Sequence, residues 1–599
     1  MGKDKFPLDV LLKVPYVESY EGFDASPDGS TLAFSWNGTG QWEVYLLSLE
    51  GHTYPQQVTC GEGAKFSPLW SPDGRRLAYV LDPDGGERYD IYTYNLDTGQ
   101  HTNVTPQTPD AIQPGFSWSP DARWIAFASD RSGRFDSYRI PLPGGPVSKI
   151  LDLPYSAWKV CWSPNGRWIA VVVEAKGQDF NAYIVPAGSG EPFAIASNGE
   201  PLNAKDIAWS PEGDRLAFTS DLGGMFNVGL FYVESRQILW LTNDHEDKET
   251  PAWSPDGRRL VFVSARGPVT SLDVLDIESK STARFQVATG VHRHPHFTPD
   301  GNRLVFSFNN PRMPDDLWLL NLKDGNLHQL THSMPESINS DSLVMPREIH
   351  YPSLDGRSVP ALLYLPTTGG KNPPAVIFIH GGPNWLTQVT WDAQVQHMVS
   401  RGWVVLAPNY RGSTGFGRDW QVTNRFDLGG RDTQDIVAGA DYLVREEIAD
   451  QRKIAVTGRS YGGYLTMTCL TQYPNRWVGG SAMVPFLNWF TAHEGMREDL
   501  IHWDLENFGD PEKDHDLYEE RSPFFYLDRV QAPVQLICGA HDPRCPAGES
   551  IQAHDRLQEL GKSCDLVLYE DEGHSFLKTK NVSDAKIRQV NFLASVLEN

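Results

Sequence analysis

The sequence predicts a seven-bladed β-propeller, which is an all-β ring, followed by an α/β domain with a mostly parallel sheet. Two observations predict this arrangement. One short phrase recurs seven times in the first half, and the second half alternates strand-like and helix-like segments. A chain of 599 residues is also longer than one hydrophobic core usually organises, so at least two domains are expected.

The repeated phrase resembles W-S-P-D-G-x-x-L-A-F and recurs at intervals of 44 to 48 residues. Each copy joins two strand-like stretches through a turn, in which proline presets φ and Asp-Gly or Asn-Gly tolerates a left-handed backbone. Two further strand-like stretches follow, which makes four strands per unit, as in a propeller blade. A linear β-solenoid, the alternative, normally has a shorter period. The prolines of the seven copies are Pro27, Pro72, Pro120, Pro164, Pro211, Pro255 and Pro299.

The repeat and the segments around it predict the domain boundaries. Residues 1–20 precede the first blade, the propeller occupies 21–332, and the polar stretch 333–344 is expected to be a linker. The α/β domain is predicted over 345–599. Tryptophans recur at one repeat position of five copies, at 70, 118, 162, 209 and 253, where packing between blades explains them better than ligand binding.

The formal charge of −24 argues against nucleic acid or an anionic membrane surface as a partner. No signal-peptide core and no apolar stretch of roughly 18 residues is visible, so a cytoplasmic protein is expected. The six cysteines include no C-x-x-C pair, and no cofactor or metal is predicted. Cys538, Cys545 and Cys564 are expected to be buried free thiols, with a local disulfide as the alternative.

Three residues that suit nucleophilic catalysis follow predicted strands of the second half. Ser460 lies in GRSYGGY, Asp542 follows VQLICGA, and His574 follows DLVLYE. The G-x-S-x-G pentapeptide is a weak signal alone, but the order Ser, Asp, His at three strand ends is that of an α/β-hydrolase. The sequence therefore predicts an α/β-hydrolase domain with these three residues as its catalytic triad.

Each predicted member has a defined role in acyl transfer. His574 would accept the proton of Ser460, and Asp542 would hold the imidazole in the required tautomer. Activity should then fall on the acid side with an apparent pKa of about 6 to 7. The amides of Tyr461 and of Gly382, in HGGP, are expected to form the oxyanion hole. His380 is the other candidate base, but it precedes the nucleophile in a loop-shaping motif.

The repeats together with IHGGP, NYRGSTGFG, GRSYGGY, GAHDPRCP and DEGHSF make the chain resemble the prolyl oligopeptidase family of serine peptidases, and within it the acylaminoacyl-peptidase-like branch. The resemblance implies cleavage of short peptides, some N-acylated, in a cavity between the two domains. It implies that the N-terminal segment packs on the hydrolase domain. It also implies that Arg544 contacts a substrate carbonyl or carboxylate, with a surface or supporting arginine as the alternative.

The same resemblance suggests further substrate-binding residues. Phe486, Trp489 and Phe490 would line an apolar pocket for the residue before the scissile bond, or else belong to the core. Glu87 lies where some relatives place an acid that meets a peptide amino terminus, although an exposed hairpin glutamate is the preferred description. No paired Glu-Glu motif of dipeptidyl peptidases is visible.

The predicted function is a serine peptidase that hydrolyses short peptides through an acyl-enzyme, with the propeller gating access. The alternatives are a carboxylesterase, which needs the same triad, a dipeptidyl-peptidase-like aminopeptidase, and a non-catalytic propeller scaffold. A homo-oligomer is left open.

Overall fold

The computed structural model describes residues 6–20, 22–51, 54–106, 110–367 and 370–598. Seven four-stranded antiparallel sheets follow one another in chain order and form the seven blades. The predicted propeller is therefore confirmed, and so is the α/β-hydrolase domain that follows it. Among the residues described, no helix combines the length and the apolar character needed to cross a bilayer.

A short helix, α1 (Leu8–Leu11), precedes the blades, and a small hairpin lies between blades 4 and 5. The strands of the propeller, in chain order, are β1 (Phe23–Ala25), β2 (Thr31–Trp36), β3 (Glu43–Ser48) and β4 (Gln56–Gln57); β5 (Ala64–Trp70), β6 (Arg76–Asp82), β7 (Asp90–Asn95) and β8 (His101–Asn103); β9 (Ile112–Trp118), β10 (Trp124–Ser129), β11 (Asp136–Pro141) and β12 (Ser148–Leu151); β13 (Ala157–Trp162), β14 (Trp168–Glu174), β15 (Phe180–Pro186) and β16 (Phe193–Ala194); the hairpin β17 (Ala196–Ser197) and β18 (Glu200–Pro201); β19 (Lys205–Trp209), β20 (Arg215–Ser220), β21 (Asn227–Tyr232) and β22 (Gln237–Trp240); β23 (Asp247–Trp253), β24 (Arg259–Arg266), β25 (Val269–Asp276) and β26 (Thr282–Phe285); and β27 (Val291–Phe297), β28 (Arg303–Asn310), β29 (Met313–Asn321) and β30 (Leu327–Gln329).

The repeated phrase forms the turn between the first two strands of each blade. In the second copy the hydroxyl of Ser71 donates to Asp73 at 2.6 Å, and Gly74 adopts a φ of 69° that favours glycine. Three of the five recurring tryptophans join neighbouring blades by a hydrogen bond, in which the indole N–H groups of Trp118, Trp209 and Trp253 donate to the carbonyls of Leu69, Cys161 and Ala208. The phrase therefore serves both the turn and the contact between blades.

The hydrolase domain is built on one eight-stranded sheet with the order β31-β32-β34-β33-β35-β36-β37-β38. Six neighbouring strands of this sheet pair in parallel, namely β34, β33, β35, β36, β37 and β38. The other two, β31 and β32, pair in antiparallel fashion at one edge. The elements in chain order are β31 (Arg347–Pro352), β32 (Ser358–Tyr364), β33 (Ala375–Ile379), α2 (Ala393–Ser400), β34 (Val404–Pro408), α3 (Arg418–Gln421), α4 (Arg431–Arg445), β35 (Ile454–Arg459), α5 (Tyr461–Gln472), β36 (Gly480–Met483), α6 (Trp489–Gly495), α7 (Glu498–Asn507), α8 (His515–Arg521), β37 (Val534–Gly539), α9 (Ala547–Glu559), β38 (Cys564–Tyr569) and α10 (Thr579–Leu597).

The central strands read as continuous apolar runs because helices cover both faces of the sheet. On one of these faces α1 contributes Leu8 to the same buried cluster as Val395 of α2 and Leu593 of α10. The imidazole Nδ1 of His397 also lies 2.7 Å from the carbonyl oxygen of Phe6. The N-terminal segment thus contacts the hydrolase domain before the chain enters the propeller, and the chain crosses between the two domains twice.

Candidate active site

Ser460 occupies a sharp turn between β35 and α5. Its backbone has a φ of 58° and a ψ of −125°, a strained conformation for a residue with a side chain. The turn is possible because its flanking positions are glycine: a Cβ on Gly458 would overlap the backbone of Gly462, and a Cβ on Gly462 would overlap the carbonyl oxygen of Ile379. The glycines of the pentapeptide therefore let the strand and the helix approach closely enough to raise the serine hydroxyl.

The structure brings the three predicted triad residues together. The Nε2 atom of His574 lies 3.0 Å from the Oγ of Ser460, and its Nδ1 atom lies 2.8 Å from a carboxylate oxygen of Asp542. The other carboxylate oxygen of Asp542 accepts two backbone N–H groups, from Arg544 and Cys545, each at 2.9 Å. These hydrogen bonds hold the Asp542 carboxylate in place as the acceptor that orients the imidazole.

The environment of His574 sets the expected pH dependence. Burial disfavours the imidazolium and lowers the pKa of His574 below its ordinary value of 6.5, although Asp542 opposes this effect. A protonated imidazole cannot accept the serine proton. We therefore expect kcat/KM to fall as the pH drops through a value below 6.5, measured as the midpoint of the acid limb on a neutral substrate. A flat profile down to pH 4 would contradict a histidine base.

The predicted oxyanion donors lie beside the serine. Tyr461 is the first residue of α5, so its N–H has no acceptor within the helix. Gly382, Tyr461 and Ser460 line the same cavity, and a Cβ on Gly381 would come within 3.2 Å of the Cβ of Ser460. The HGGP loop is therefore held against the nucleophile, with two amides available to a developing oxyanion.

His380, the other candidate base, is not directed at Ser460. Its Nε2 atom lies 2.9 Å from the hydroxyl of Ser413 and its Nδ1 atom 2.7 Å from the carbonyl oxygen of Gly381. Burial lowers its pKa to about 4. His380 therefore shapes the loop as a neutral ring.

Glu87 is not the exposed hairpin glutamate that the sequence suggested. It is 5% exposed, and it pairs with two arginines of the hydrolase domain. The Nε of Arg544 lies 2.7 Å from one of its carboxylate oxygens, and the Nη1 of Arg497 lies 3.0 Å from the other. Burial alone would raise the pKa of Glu87, but the two guanidinium groups lower it to about 2. Local sequence gave no sign of these partners because they lie in the other domain.

The Glu87 ion pairs are expected to stabilise the contact between the domains. Glu87→Gln should lower the free energy of unfolding by about 1.5–3 kcal/mol. The loss comes mainly from Arg497, whose buried guanidinium group loses one of its two charged partners. Arg544 contributes less, because solvent partly screens its charge. Urea denaturation provides the measurement, and the exposed Glu62→Gln in the same blade is the matched control. Equal denaturation midpoints for the two variants would contradict this role.

A hairpin of blade 2, residues 82–88, touches both loops that carry the acid and the base. The carbonyl oxygen of Asp84 lies 3.3 Å from the Nδ1 of His541, beside Asp542. The backbone of Gly85 lies against Gly573, next to His574, so closely that a Cβ on Gly573 would overlap the carbonyl oxygen of Gly85. We call residues 82–88 the docking hairpin. Through it the propeller contributes to the position of the triad.

A cavity of about 340 Å³ opens beside Ser460. Two of the three predicted pocket aromatics, Phe486 and Trp489, line it, whereas Phe490 does not. Phe490 is the second residue of α6, after Trp489, so its ring points away from the cavity and packs on Tyr518 and His515. Arg544 borders this cavity and a second one of about 520 Å³ inside the propeller.

Several residues of this site are not among those that the sequence predicts. Arg497 and Asp499 form a buried ion pair at its edge, and Glu174 and Trp158 reach it from blade 4. No local motif marks these residues. The one sequence signal for such a residue is a charged side chain at the end of an otherwise apolar blade strand, such as Glu174 at the end of β14.

All six cysteines are unpaired, and Cys545 is buried beside the triad. The donor atoms of Asp542, Cys545 and His574 lie within 4.8 Å of one another, which is the one such grouping among the residues described. The Asp542–His574 hydrogen bond already uses two of them. Burial raises the pKa of the Cys545 thiol well above its ordinary value, so this group suits a proton relay better than a cation.

Comparisons with known proteins agree with this architecture. Residues 389–599 match the prolyl oligopeptidase family, and residues 22–178 match the TolB β-propeller domain. The uncharacterized peptidase YuxL of Bacillus subtilis (strain 168) is 28% identical over 298 residues, which cover 48% of this chain and 44% of that protein. Dipeptidyl aminopeptidase BIII of Pseudoxanthomonas mexicana is 24% identical over 96% of this chain and 86% of that protein.

A solved puromycin-hydrolyzing peptidase of Mycobacterium tuberculosis superposes with a TM-score of 0.87 over 100% of this chain and 97% of that one, at 20% identity. This likeness shows the fold. The fold is that of an α/β-hydrolase domain covered by a seven-bladed propeller, with Ser460, His574 and Asp542 in hydrogen-bonding range of one another. Within the hydrolase domain, the similarity to the prolyl oligopeptidase family extends over residues 389–599. The chain spans less than half the length of YuxL.

Proposed function

We propose that this protein is a serine peptidase that cleaves short peptides through an acyl-enzyme at Ser460. The observation that carries the proposal is the continuous relay from Ser460 through His574 to Asp542, at 3.0 and 2.8 Å. In the proposed mechanism His574 removes the serine proton during attack and returns it to the leaving amine. The amides of Tyr461 and Gly382 stabilise the oxyanion.

The enclosed position of the site supports a preference for short peptides. Ser460 faces a cavity walled by Trp158 and Glu174 of the propeller as well as by residues of the hydrolase domain. A cavity of about 340 Å³ is far too small for a folded protein. Arg544 is proposed to contact a substrate carbonyl, since its side chain is 46% exposed although it pairs with Glu87. Phe486 and Trp489 are proposed to hold the residue before the scissile bond.

The motifs favour an acylaminoacyl-peptidase or oligopeptidase-like activity, and a carboxylesterase is the second candidate, because the same groups hydrolyse esters more readily than amides. The test compares kcat/KM for an acetyl-amino-acid anilide, an unblocked dipeptidyl anilide and a short-chain nitrophenyl ester. Turnover of either anilide supports a peptidase, and the better one identifies blocked or free amino ends. Turnover of the ester alone would contradict the peptidase assignment.

A further inference from the structure

Arg459 is a cation beside the triad for which the proposed mechanism has no use. It ends β35 and immediately precedes Ser460. Its Nη2 donates to the backbone carbonyl oxygen of His574 at 2.5 Å, and the same atom lies 3.4 Å from the hydroxyl of Ser575. The guanidinium group is therefore held against the loop that carries the catalytic base.

The charge of Arg459 is not compensated within the chain. Arg459 forms no ion pair with any residue that the structure describes. Asp542 and Glu87 are the two carboxylates whose charges act on it, and both are engaged elsewhere. Asp542 orients His574, and Glu87 pairs with two other arginines. The N–H groups that Arg459 does not direct at the His574 loop are therefore available to a ligand.

Arg459 faces an enclosed space that solvent can enter. The residue is exposed, yet desolvation by the surrounding protein lowers its pKa below the ordinary value. Tyr16 is also exposed, although desolvation raises the pKa of its phenol, and the charge of Arg459 opposes that rise. Tyr16 is held on blade 1, where its N–H donates to the side-chain oxygen of Asn37. Exposure together with desolvation describes side chains that line a space between the domains rather than the outer surface.

This space lies on the leaving-group side of Ser460. The cavity that contains Phe486 and Trp489 is proposed to hold the residue before the scissile bond, and its described lining includes neither Arg459 nor His574. The leaving amine must receive its proton from Nε2 of His574, so the departing peptide lies next to the imidazole. Arg459, which is hydrogen-bonded to the backbone of that histidine, is thus placed to meet the departing peptide.

We infer that Arg459 binds a carboxylate in the leaving part of the peptide substrate. The inference rests on the proposed peptidase function and specifies its substrate class, namely short peptides with an anionic group one or two residues after the scissile bond. An extended chain advances about 3.3–3.6 Å per residue, so such a group is within reach of a long arginine side chain. A guanidinium group keeps its charge at neutral pH and forms charge-assisted hydrogen bonds with carboxylates. A peptide offers a carboxylate from two sources, a free C-terminus or an acidic side chain.

The test uses three pairs of peptides that share one acyl part, that of the better anilide, and differ by one charge in the leaving part. The leaving parts are glycine and glycinamide, glycylglycine and glycylglycinamide, and the α-amides of glutamate and glutamine. We expect the wild type to prefer the charged member of at least one pair by about tenfold in kcat/KM. Arg459→Gln should reduce that preference to about twofold or less. Arg452→Gln is the matched control, because this exposed arginine precedes the opposite end of β35; it should keep the wild-type ratio.

Each result has a separate meaning. A preference in either glycine pair assigns the site to the C-terminal carboxylate, and one confined to the third pair assigns it to an acidic side chain. If the wild type cleaves the peptides but prefers no charged member, the inference is overturned while the peptidase function stands. If Arg459→Gln slows both members of every pair equally, Arg459 only supports the His574 loop, and the inference is again overturned. If the wild type hydrolyses nitrophenyl esters but no anilide or peptide, both proposals are overturned.

A measurement on the wild type guards against variants that do not fold. The charged leaving part of the preferred pair, added as a free peptide, should inhibit hydrolysis of the anilide. Its uncharged counterpart, which has nearly the same shape, should inhibit about tenfold less well. Equal inhibition by the two compounds would contradict a carboxylate site at Arg459.

Discussion

Ser460→Ala is expected to lower kcat by about 10⁶-fold on any substrate that the protein hydrolyses, because the nucleophile and its base act as one unit. A fluorophosphonate probe should label the wild type at near-neutral pH and fail to label the variant. Ser575→Ala is the matched control, since this exposed serine adjoins His574 without taking part in the relay. Its labelling should equal that of the wild type.

The same experiment tests the scaffold alternative. A protein that uses only its propeller surface for binding has no physical need for an activated serine. Absence of labelling in the wild type, or equal labelling of Ser460→Ala, would contradict Ser460 as the nucleophile.

Asp542→Asn is expected to lower kcat by about 10⁴-fold while leaving the fold intact. An asparagine amide can donate to Nδ1 of His574 and so favours the tautomer whose Nε2 carries the proton. That tautomer cannot accept the proton of Ser460. The measurement is kcat on the best anilide or ester, together with a denaturation curve.

The control for this variant is Asp528→Asn, an exposed aspartate before β37. It should retain the wild-type kcat. If Asp542→Asn stayed within tenfold of the wild type, Asp542 would not be the residue that orients His574.

The fold was predictable because its determinants are local and repeated. One turn such as that of Ser71 and Asp73 would be ambiguous, but seven copies at a nearly constant interval specify a closed set of blades. The positions of Ser460, Asp542 and His574 were predictable for a different reason. Parallel strands end at one edge of a sheet, so residues that follow three such strands are brought together by topology alone.

The contacts between the domains could not be predicted in the same way. Glu87 and Arg544 are 457 positions apart and belong to different folds, so no periodicity links them. The sequence allows Phe490, like its neighbours Phe486 and Trp489, either to line the pocket or to belong to the core, and the helix that begins at Trp489 turns its side chain away from the pocket. The direction of a side chain at a helix start depends on where that helix begins, and the sequence locates such boundaries poorly.

The docking hairpin restricts the substitutions that this chain can accept during evolution. Gly85 and Gly573 meet backbone to backbone, so neither position is free to accept a larger residue unless the other domain moves. Recombination that brings in a propeller from a distant relative would therefore have to supply a hairpin of matching length and shape. The two domains are expected to be inherited as a pair, and chimeras between relatives should work best when the junction keeps residues 82–88 and 573 from the same parent.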